Sequence, residues 1–436
     1  MEATATALSW IWLHFYPVVL LCLYWRTDMN KKLALYGGEK TRTAPFPSRT
    51  PFGKKEEELL LDAVRSQNLF GKSGTYVKDF EKQFADFYGM GYAQSSTSGT
   101  AAIHLAVGVV DPEPGDEIIT APITDPGSVM PILIQNAVPV FADVDPLTMN
   151  MTPESIEANI TDRTRAIILV HLFGRPCNVE EVVKIAEKYH ITLIEDCSQC
   201  HATKYKGRYV GTFGHMGCFS LQQSKHMTTG DGGMTVTHDR ETYIRLKLFS
   251  DKGWDYQYMA DRDHAFVAPN YRMTEMQGAV GLAQLEKVRG VVERRHELGA
   301  LLCELIADAP GITPIPPEGD REVSWWNFVF HVTGHDPDEF CKAVRAEGVS
   351  MGAHYIKDPI FMRGNYLTEK RTYGNSGFPF HHGVTSREYN YGPELVPGAV
   401  QALSTVVVWG LHEHLDKKDI RDTAAAINKV ANGLSR

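Results

Sequence analysis

Four short apolar runs recur through the middle of the chain: Glu117-Ile-Ile-Thr120, Val138-Pro-Val-Phe141, Ala166-Ile-Ile-Leu-Val170 and Ile191-Thr-Leu-Ile194. Runs this short and this uniformly apolar read as strands buried on both faces. Between the last two lies a helical pattern from Asn178 to Tyr189, with Val179, Val182, Val183 and Ala186 at helical spacing. Strands alternating with helices predict an α/β fold, a large and mostly parallel sheet covered by helices on both faces. Ligands of such sheets gather at the C-terminal ends of the strands.

Helical stretches are also expected near 54–66 and 77–88, and from Thr274 to about Arg295. Beyond that the pattern changes to a strand at Trp325–Val332, a helix at Asp336–Gly348 and a final helix at Asp416–Ala431. These predict a smaller C-terminal α+β domain. The chain is thus divided into an apolar N-terminal extension (1–28), a large domain (29–288) and a small domain (289–436). A long irregular stretch from about Tyr355 to Val396, rich in Gly, Pro, His and Tyr, is a candidate lining for a substrate cleft. Loops of that length are uncommon in compact domains unless functional, and an ordinary surface excursion is the alternative.

The run at Ile191 continues into Glu195-Asp196, which sets an acid at the C-terminal end of a strand. Downstream, Phe219-Ser220-Leu-Gln-Gln-Ser224-Lys225 and Gly230-Asp-Gly-Gly place a lysine in a turn rich in serine and glycine. Alone, such a lysine is an ordinary surface residue. Paired with a strand-end carboxylate it is what a pyridoxal phosphate enzyme requires. The amine forms a Schiff base with the cofactor aldehyde, and the acid keeps the pyridine nitrogen protonated so that the ring acts as an electron sink. A third element is Ser98-Gly99-Thr100-Ala-Ala followed by Ile103-His-Leu-Ala-Val107, which predicts a tightly packed helix opening at Ser98 or Gly99. Free N–H groups at the helix start, a threonine hydroxyl and a glycine suit a phosphate, although alone the segment reads as a plain helix cap. Ser220 offers another hydroxyl.

Together these motifs resemble one family, the DegT/DnrJ/StrS sugar and cyclitol aminotransferases of aspartate aminotransferase-like fold type I. The likeness covers roughly residues 31–435. Leu33-Ala-Leu-Tyr-Gly-Gly resembles the family's opening, and Phe80-Glu-Lys-Gln-Phe-Ala its first amphipathic helix. Ser98-Gly-Thr-Ala-Ala resembles its phosphate loop, Glu195-Asp-Cys-Ser-Gln-Cys-His201 its acid strand and Phe219–Lys225 its lysine segment. Asn270-Tyr-Arg-Met-Thr-Glu275 is similar to its late signature.

The resemblance implies that Lys225 is the Schiff-base lysine and proton carrier, that Asp196 pairs with the pyridine nitrogen and that Gln199 lies near the ring hydroxyl. It implies a phosphate held by Gly99, Thr100 and Ser220, joined by Asn270 from the neighbouring subunit of a homodimer. The implied reaction moves an amino group from glutamate or glutamine to a keto sugar linked to a nucleotide, or to a keto-cyclitol. The wording Gln222-Gln223-Ser-Lys225 leans toward the cyclitol branch. The retained Lys225 sets the chain apart from a minority branch that dehydrates and carries histidine there, since His226 comes one place later. Two rivals stand beside this reading, a cofactor-binding sensor that turns nothing over and a membrane-attached scaffold that has lost catalysis.

One position departs from the family pattern. Where an aromatic usually stacks on the cofactor ring, the sequence has Asp125, within Pro122-Ile-Thr-Asp-Pro-Gly-Ser128. Either the aromatic arrives from elsewhere or the ring is held differently; alternatively, Asp125 caps the following turn and points away.

Cys197-Ser-Gln-Cys200-His201 spells the pattern of covalent haem attachment, and C-x-x-C can be half a zinc site. No exported context accompanies it, and Cys177 and Cys218 stand alone, so neither metal nor haem is expected. Seven cysteines without regular spacing indicate reduced thiols in a cytoplasmic protein. A net charge of −9 argues against an electrostatic nucleic-acid binder. Residues 7–25 are apolar and near the length of a membrane span, followed by Arg26, Lys31 and Lys32. Because Met29-Asn-Lys-Lys-Leu resembles a complete family N-terminus, a start placed too early is preferred to an anchor on the cytoplasmic face.

Overall fold

All four apolar runs are strands. In the computed structural model, which describes residues 32–254, 263–380, 384, 385 and 387–435, they form β2 (Glu117–Thr120), β3 (Val138–Phe141), β4 (Thr164–Val170) and β5 (Thr192–Asp196). The last extends two residues past the apolar run, so that Asp196 is itself the final strand residue. The sheet is completed by β1 (Tyr92–Ser96), β6 (Met216–Ser220) and β7 (Gly233–Thr237), in the order β1-β7-β6-β5-β4-β2-β3. All strands run parallel except β7, which is antiparallel to both its neighbours. Sequence reasoning missed these three because their small and polar residues carry no apolar run, although β6 and β7 are buried throughout. Their burial is decided by the sheet's helical cover rather than by propensity.

The helices near 54–66, 77–88 and 178–189 are found at Lys54–Arg65, Tyr76–Tyr88 and Val179–Tyr189. The helix expected to end near Arg295 continues to Ile306. Its far half turns Leu298, Leu302, Cys303 and Ile306 into a second apolar cluster, and that burial outweighs Gly290 and Gly299 as breakers. The strand expected from Trp325 begins only at Phe328, because Trp325 adopts φ 48°, which no strand accommodates.

The second cluster is built on a four-stranded antiparallel sheet of β8 (Ile312–Pro314), β9 (Phe328–Val332), β10 (Gly352–Ala353) and β11 (Val406–Trp409). Against it pack the helices Pro337–Ala346 and Lys417–Leu434. The chain between β10 and β11 leaves this core. Ile356, Phe361, Phe380 and Tyr389 join the large cluster, with the Phe361 ring 4.7 Å from Phe141 and the Tyr391 hydroxyl donating to Pro139 O at 2.9 Å. Much of the irregular stretch thus covers the β2–β3 edge of the large sheet. Residues 7–25 lie outside the described residues, among which no helix is long and apolar enough to cross a membrane.

Candidate active site

Gly233 opens β7 and pairs with both Ser96, the end of β1, and Ser220, the end of β6. Beyond β1 the chain turns at Ser98, whose hydroxyl oxygen accepts from Ala101 N at 3.0 Å and caps the helix Gly99–Val110. The first N–H groups of a helix have no partner within it. Residue 99 must be glycine, because a Cβ there would stand 2.5 Å from Ser220 Cβ and 2.8 Å from its Oγ. The helix N-terminus and the Ser220 hydroxyl therefore border the same small space. Thr100 is exposed beside it, and a Cβ on Gly127 would lie 2.7 Å from Thr100 Oγ1.

The turn carrying Gly127 also reaches Asp196. Ser128 Oγ donates to Asp196 Oδ2 at 2.7 Å, while Ser198 N donates to Oδ1 at 3.0 Å. Since the Ser128 proton is directed at the carboxylate, Thr124 Oγ1, 2.8 Å away, donates to Ser128 in turn. Asp125 is the cap of this turn, its Oδ1 accepting from Gly127 N at 2.8 Å, and its charge still acts on Lys225.

Lys225 lies on a loop closed by the Leu221 N–H, which donates to Gly232 O at 2.8 Å. It is 9% exposed, with Nζ 3.9 Å from the centre of the Trp326 ring. Burial pushes its pKa down to about 8, against the carboxylates of Asp196 and Asp125, which favour the charged amine. The Trp326 indole N–H donates to Ser224 O at 3.1 Å, and the ring stacks on Phe173 at 6.3 Å. Tyr355 meets Phe173 edge-on at 4.6 Å and shares a hydrogen bond with Gln199. Gln199 Oε1 accepts from Phe173 N at 2.8 Å, which fixes the amide's orientation. Burial pushes the Tyr355 phenol up to about 12.

The structure thus joins Gly99 to Ser220 by close approach, and Lys225 to Asp196 by charge. Gln199 belongs to the aromatic wall beside Lys225. Asn270 is exposed and bridges Asp251, its Oδ1 accepting from Arg272 N at 3.4 Å. Sequence reasoning missed Ser128, Phe173 and Trp326 as site residues, whereas Tyr355 opens the irregular stretch expected to line a cleft. Trp325-Trp326 carries the pattern of a strand start, and only the structure shows that both lie before the strand at Phe328.

Among the described residues, ligand atoms close enough to share a metal occur at one buried cluster, where those of His171, Glu195 and Cys197 lie within 4.8 Å of one another. These donors are already engaged. Glu195 accepts from Gly211 N at 2.8 Å and from Phe213 N and Gly214 N at 2.7 Å. His171 Nδ1 accepts from Cys177 N at 3.0 Å, so its Nε2 carries the proton and donates to Glu195 Oε2 at 3.1 Å. Burial raises the thiols of Cys197 and Cys200, the latter to about 12, so neither offers a thiolate. The described cysteines are all buried and free.

The sequence model of the DegT/DnrJ/EryC1/StrS aminotransferase family matches residues 51–428. GDP-perosamine synthase of Escherichia coli O157:H7 is 39% identical over 246 residues, which make up 56% of this chain and 66% of that protein. A putative L-glutamine:3-amino-2,3-dideoxy-scyllo-inosose aminotransferase of Micromonospora echinospora is 30% identical over 93% of this chain and 98% of its own. Among solved structures, an aminotransferase from Psychrobacter cryohalolentis superposes with a TM-score of 0.78 at 29% identity, covering 91% of this chain and 100% of that one. 3-Amino-5-hydroxybenzoic acid synthase gives 0.77 at 25% identity, covering 90% and 100%.

Proposed function

Because the chain belongs to the DegT/DnrJ/EryC1/StrS aminotransferase family, we propose that it uses pyridoxal phosphate at Lys225 to move the α-amino group of glutamate or glutamine onto a nucleotide-linked keto sugar or a keto-cyclitol. The observation that carries this reading is a buried lysine amine, 3.9 Å from the Trp326 ring centre and within the field of the strand-end carboxylate of Asp196, with its pKa lowered to about 8. Bound pyridoxal phosphate supplies an aldehyde that exchanges amines and a ring that takes up the electrons left when a proton departs.

The residues present fit the cofactor. The missing Cβ of Gly99 leaves a cradle between a helix N-terminus and the Ser220 hydroxyl, with Thr100 at its rim, which suits a phosphate. Asp196 offers a carboxylate to the ring nitrogen, and Ser128 and Ser198 fix its plane. Gln199, held by Phe173, is assigned to the ring hydroxyl. Asn270 is assigned to the phosphate of the neighbouring subunit, which makes the working unit a homodimer with shared sites. All these residues fall within 29–288, the proposed cofactor domain.

Lys225 Nζ takes the proton from the donor's α-carbon and, in the second half of the cycle, returns one to the acceptor carbon. The amine must be neutral to do so, and burial favours that form. The name of the Micromonospora relative supports glutamine as donor and a keto-cyclitol as acceptor, and that of the Escherichia relative supports a nucleotide-linked sugar. Free, buried cysteines support a reducing compartment.

The test is the visible absorption spectrum of the purified protein with pyridoxal phosphate, before and after L-glutamine or L-glutamate. The reading expects a cofactor band that bleaches with donor and returns with a keto acceptor, and Lys225→Ala abolishes the change. A band indifferent to every donor overturns it.

A further inference from the structure

The Lys225 loop is gripped from behind by a guanidinium outside the site. Arg49 Nη1 donates to Gln223 O at 3.0 Å, and its Nη2 donates to Lys225 O at 2.8 Å and His226 O at 3.1 Å. A second guanidinium does the same for the indole that meets the lysine amine. Arg295 Nη1 donates to Trp325 O at 3.3 Å and to Trp326 O at 3.2 Å. One carboxylate joins the two. Glu413 Oε1 lies 2.9 Å from Arg49 Nε, and its Oε2 lies 2.9 Å from Arg295 Nε and 2.8 Å from Arg295 Nη2.

These groups come from distant parts of the chain. Arg49 precedes the first long helix, Arg295 sits in the helix that links the two cores, and Glu413 follows β11 of the small sheet. The side chains are mostly withdrawn from water, at 15% exposure for Arg49, 1% for Arg295 and 10% for Glu413. Burial alone would raise the Glu413 carboxyl, but the charges of Arg295 and Arg49 hold it at about 2, so it is ionised throughout the working range. The two arginines oppose each other's charge, and carbonyl oxygens do not neutralise them. Without Glu413 they would repel, one carrying the Lys225 backbone and the other the Trp326 backbone. That separation would act directly on the 3.9 Å contact between the Lys225 amine and the indole ring.

We propose that Glu413 is a positioning residue for the reaction: by joining Arg49 to Arg295 it fixes the Lys225 loop and Trp326 in the one relative placement that keeps the lysine amine aimed into the site. The proposal rests on the assignment of Lys225 as the reacting amine. Glu413 acts through its ion pairs with Arg49 and Arg295, and the Trp326–Ser224 hydrogen bond closes the linkage on the site side.

The experiment compares Glu413→Gln and Glu413→Asp with the parent as holoenzymes. Glu413→Gln is expected to slow the donor half-reaction about tenfold or more at saturating L-glutamine, the scale on which small misplacements act. The half-saturating donor concentration should stay within about twofold, since no donor contact is removed. The visible circular dichroism of the bound cofactor should change, and Glu413→Asp, which keeps the charge, should recover part of both signals. Combining Glu413→Gln with Trp326→Phe should cost no more than the larger single loss, whereas combining it with Ser128→Ala should multiply the losses. In cofactor-free protein, acetic anhydride labelling of Lys225, read by peptide mass, should change rate in Glu413→Gln.

A wild-type rate per bound cofactor in Glu413→Gln, even with a lowered melting temperature, overturns the proposal and leaves Glu413 a purely structural ion. Multiplicative losses with Trp326→Phe overturn it equally. Should Glu413→Gln fail to fold, Glu413→Asp carries the same comparisons. Lys225→Ala keeps the two readings apart. Its loss of the half-reaction upholds Lys225 whatever Glu413 does, and labelling reads the placement of the amine independently of turnover.

Discussion

Ser128 donates its hydroxyl proton to Asp196 Oδ2 across 2.7 Å, from a turn 68 residues away in sequence. A hydrogen bond to a buried carboxylate contributes roughly 1.5–3 kcal/mol, and here, with Ser198 N, it also fixes the plane of the Asp196 carboxylate. Ser128→Ala should therefore slow the donor half-reaction by about 10- to 100-fold and weaken cofactor retention. Stopped-flow absorbance with L-glutamine checks the rate per bound cofactor, and the lost hydrogen bond should also lower the melting temperature of the cofactor-free protein.

Lys225 makes an opposite prediction for stability. Its folded pKa, about 8, lies below the ordinary 10.5. Between those values the unfolded chain binds more protons, so this residue's contribution to stability rises with pH and is lost as pH falls through about 8. Burying the charge at neutral pH costs up to about 3 kcal/mol. Lys225→Met should raise the denaturation midpoint of the cofactor-free protein at pH 7, and the gain should shrink as pH approaches 10.5.

The exposed Asp125 carboxylate favours the charged form of that amine. Removing its charge in Asp125→Asn should shift the midpoint of Lys225 labelling with acetic anhydride to lower pH. It should also move the rising limb of the donor half-reaction in the same direction. A midpoint unchanged from the parent would show that the capping role alone is exercised.

Gly99→Ala tests the cradle. The added methyl meets Ser220 Cβ at 2.5 Å, and overpacking of this kind costs about 1–3 kcal/mol. Thermal unfolding should show that loss, and pyridoxal phosphate titration should show a much weaker affinity. Adding Ser220→Gly should recover stability but not affinity, because the hydroxyl is gone.

Asn270 can be examined by mixing. If its amide serves the neighbouring subunit, Lys225→Ala and Asn270→Ala dimers that are separately impaired should regain activity after exchange of subunits, through one intact site in each mixed dimer. No recovery would place Asn270 outside the shared site.

The strands β2 to β5 were legible because an all-apolar run has few destinations, and the position of Asp196 at a strand end because it directly follows such a run. Ser128 and Trp326 were not. A serine in a Pro-Gly turn looks the same whether or not a carboxylate lies opposite, and the indole reaches Lys225 only through the left-handed backbone at Trp325. Asp125 shows the limit from the other side: the sequence marked the position, while the choice between cap and free carboxylate depended on Gly127 N, 2.8 Å away. The Cys197–His201 pattern carried no sign that Glu195 would collect three backbone N–H groups.

The row Ser96–Gly233–Ser220 has a wider meaning. It is a ruler made of main chain, and it sets how far the N-terminus of the Gly99 helix stands from the Lys225 loop without consulting any side chain. The irregular excursion from Tyr355 onward is held by ring packing as well as by main-chain bonds such as Ile360 N to Pro122 O at 2.8 Å, and it covers the sheet's far edge. Side chains along the excursion can therefore change while the main-chain row that separates the Gly99 helix from the Lys225 loop keeps its dimensions.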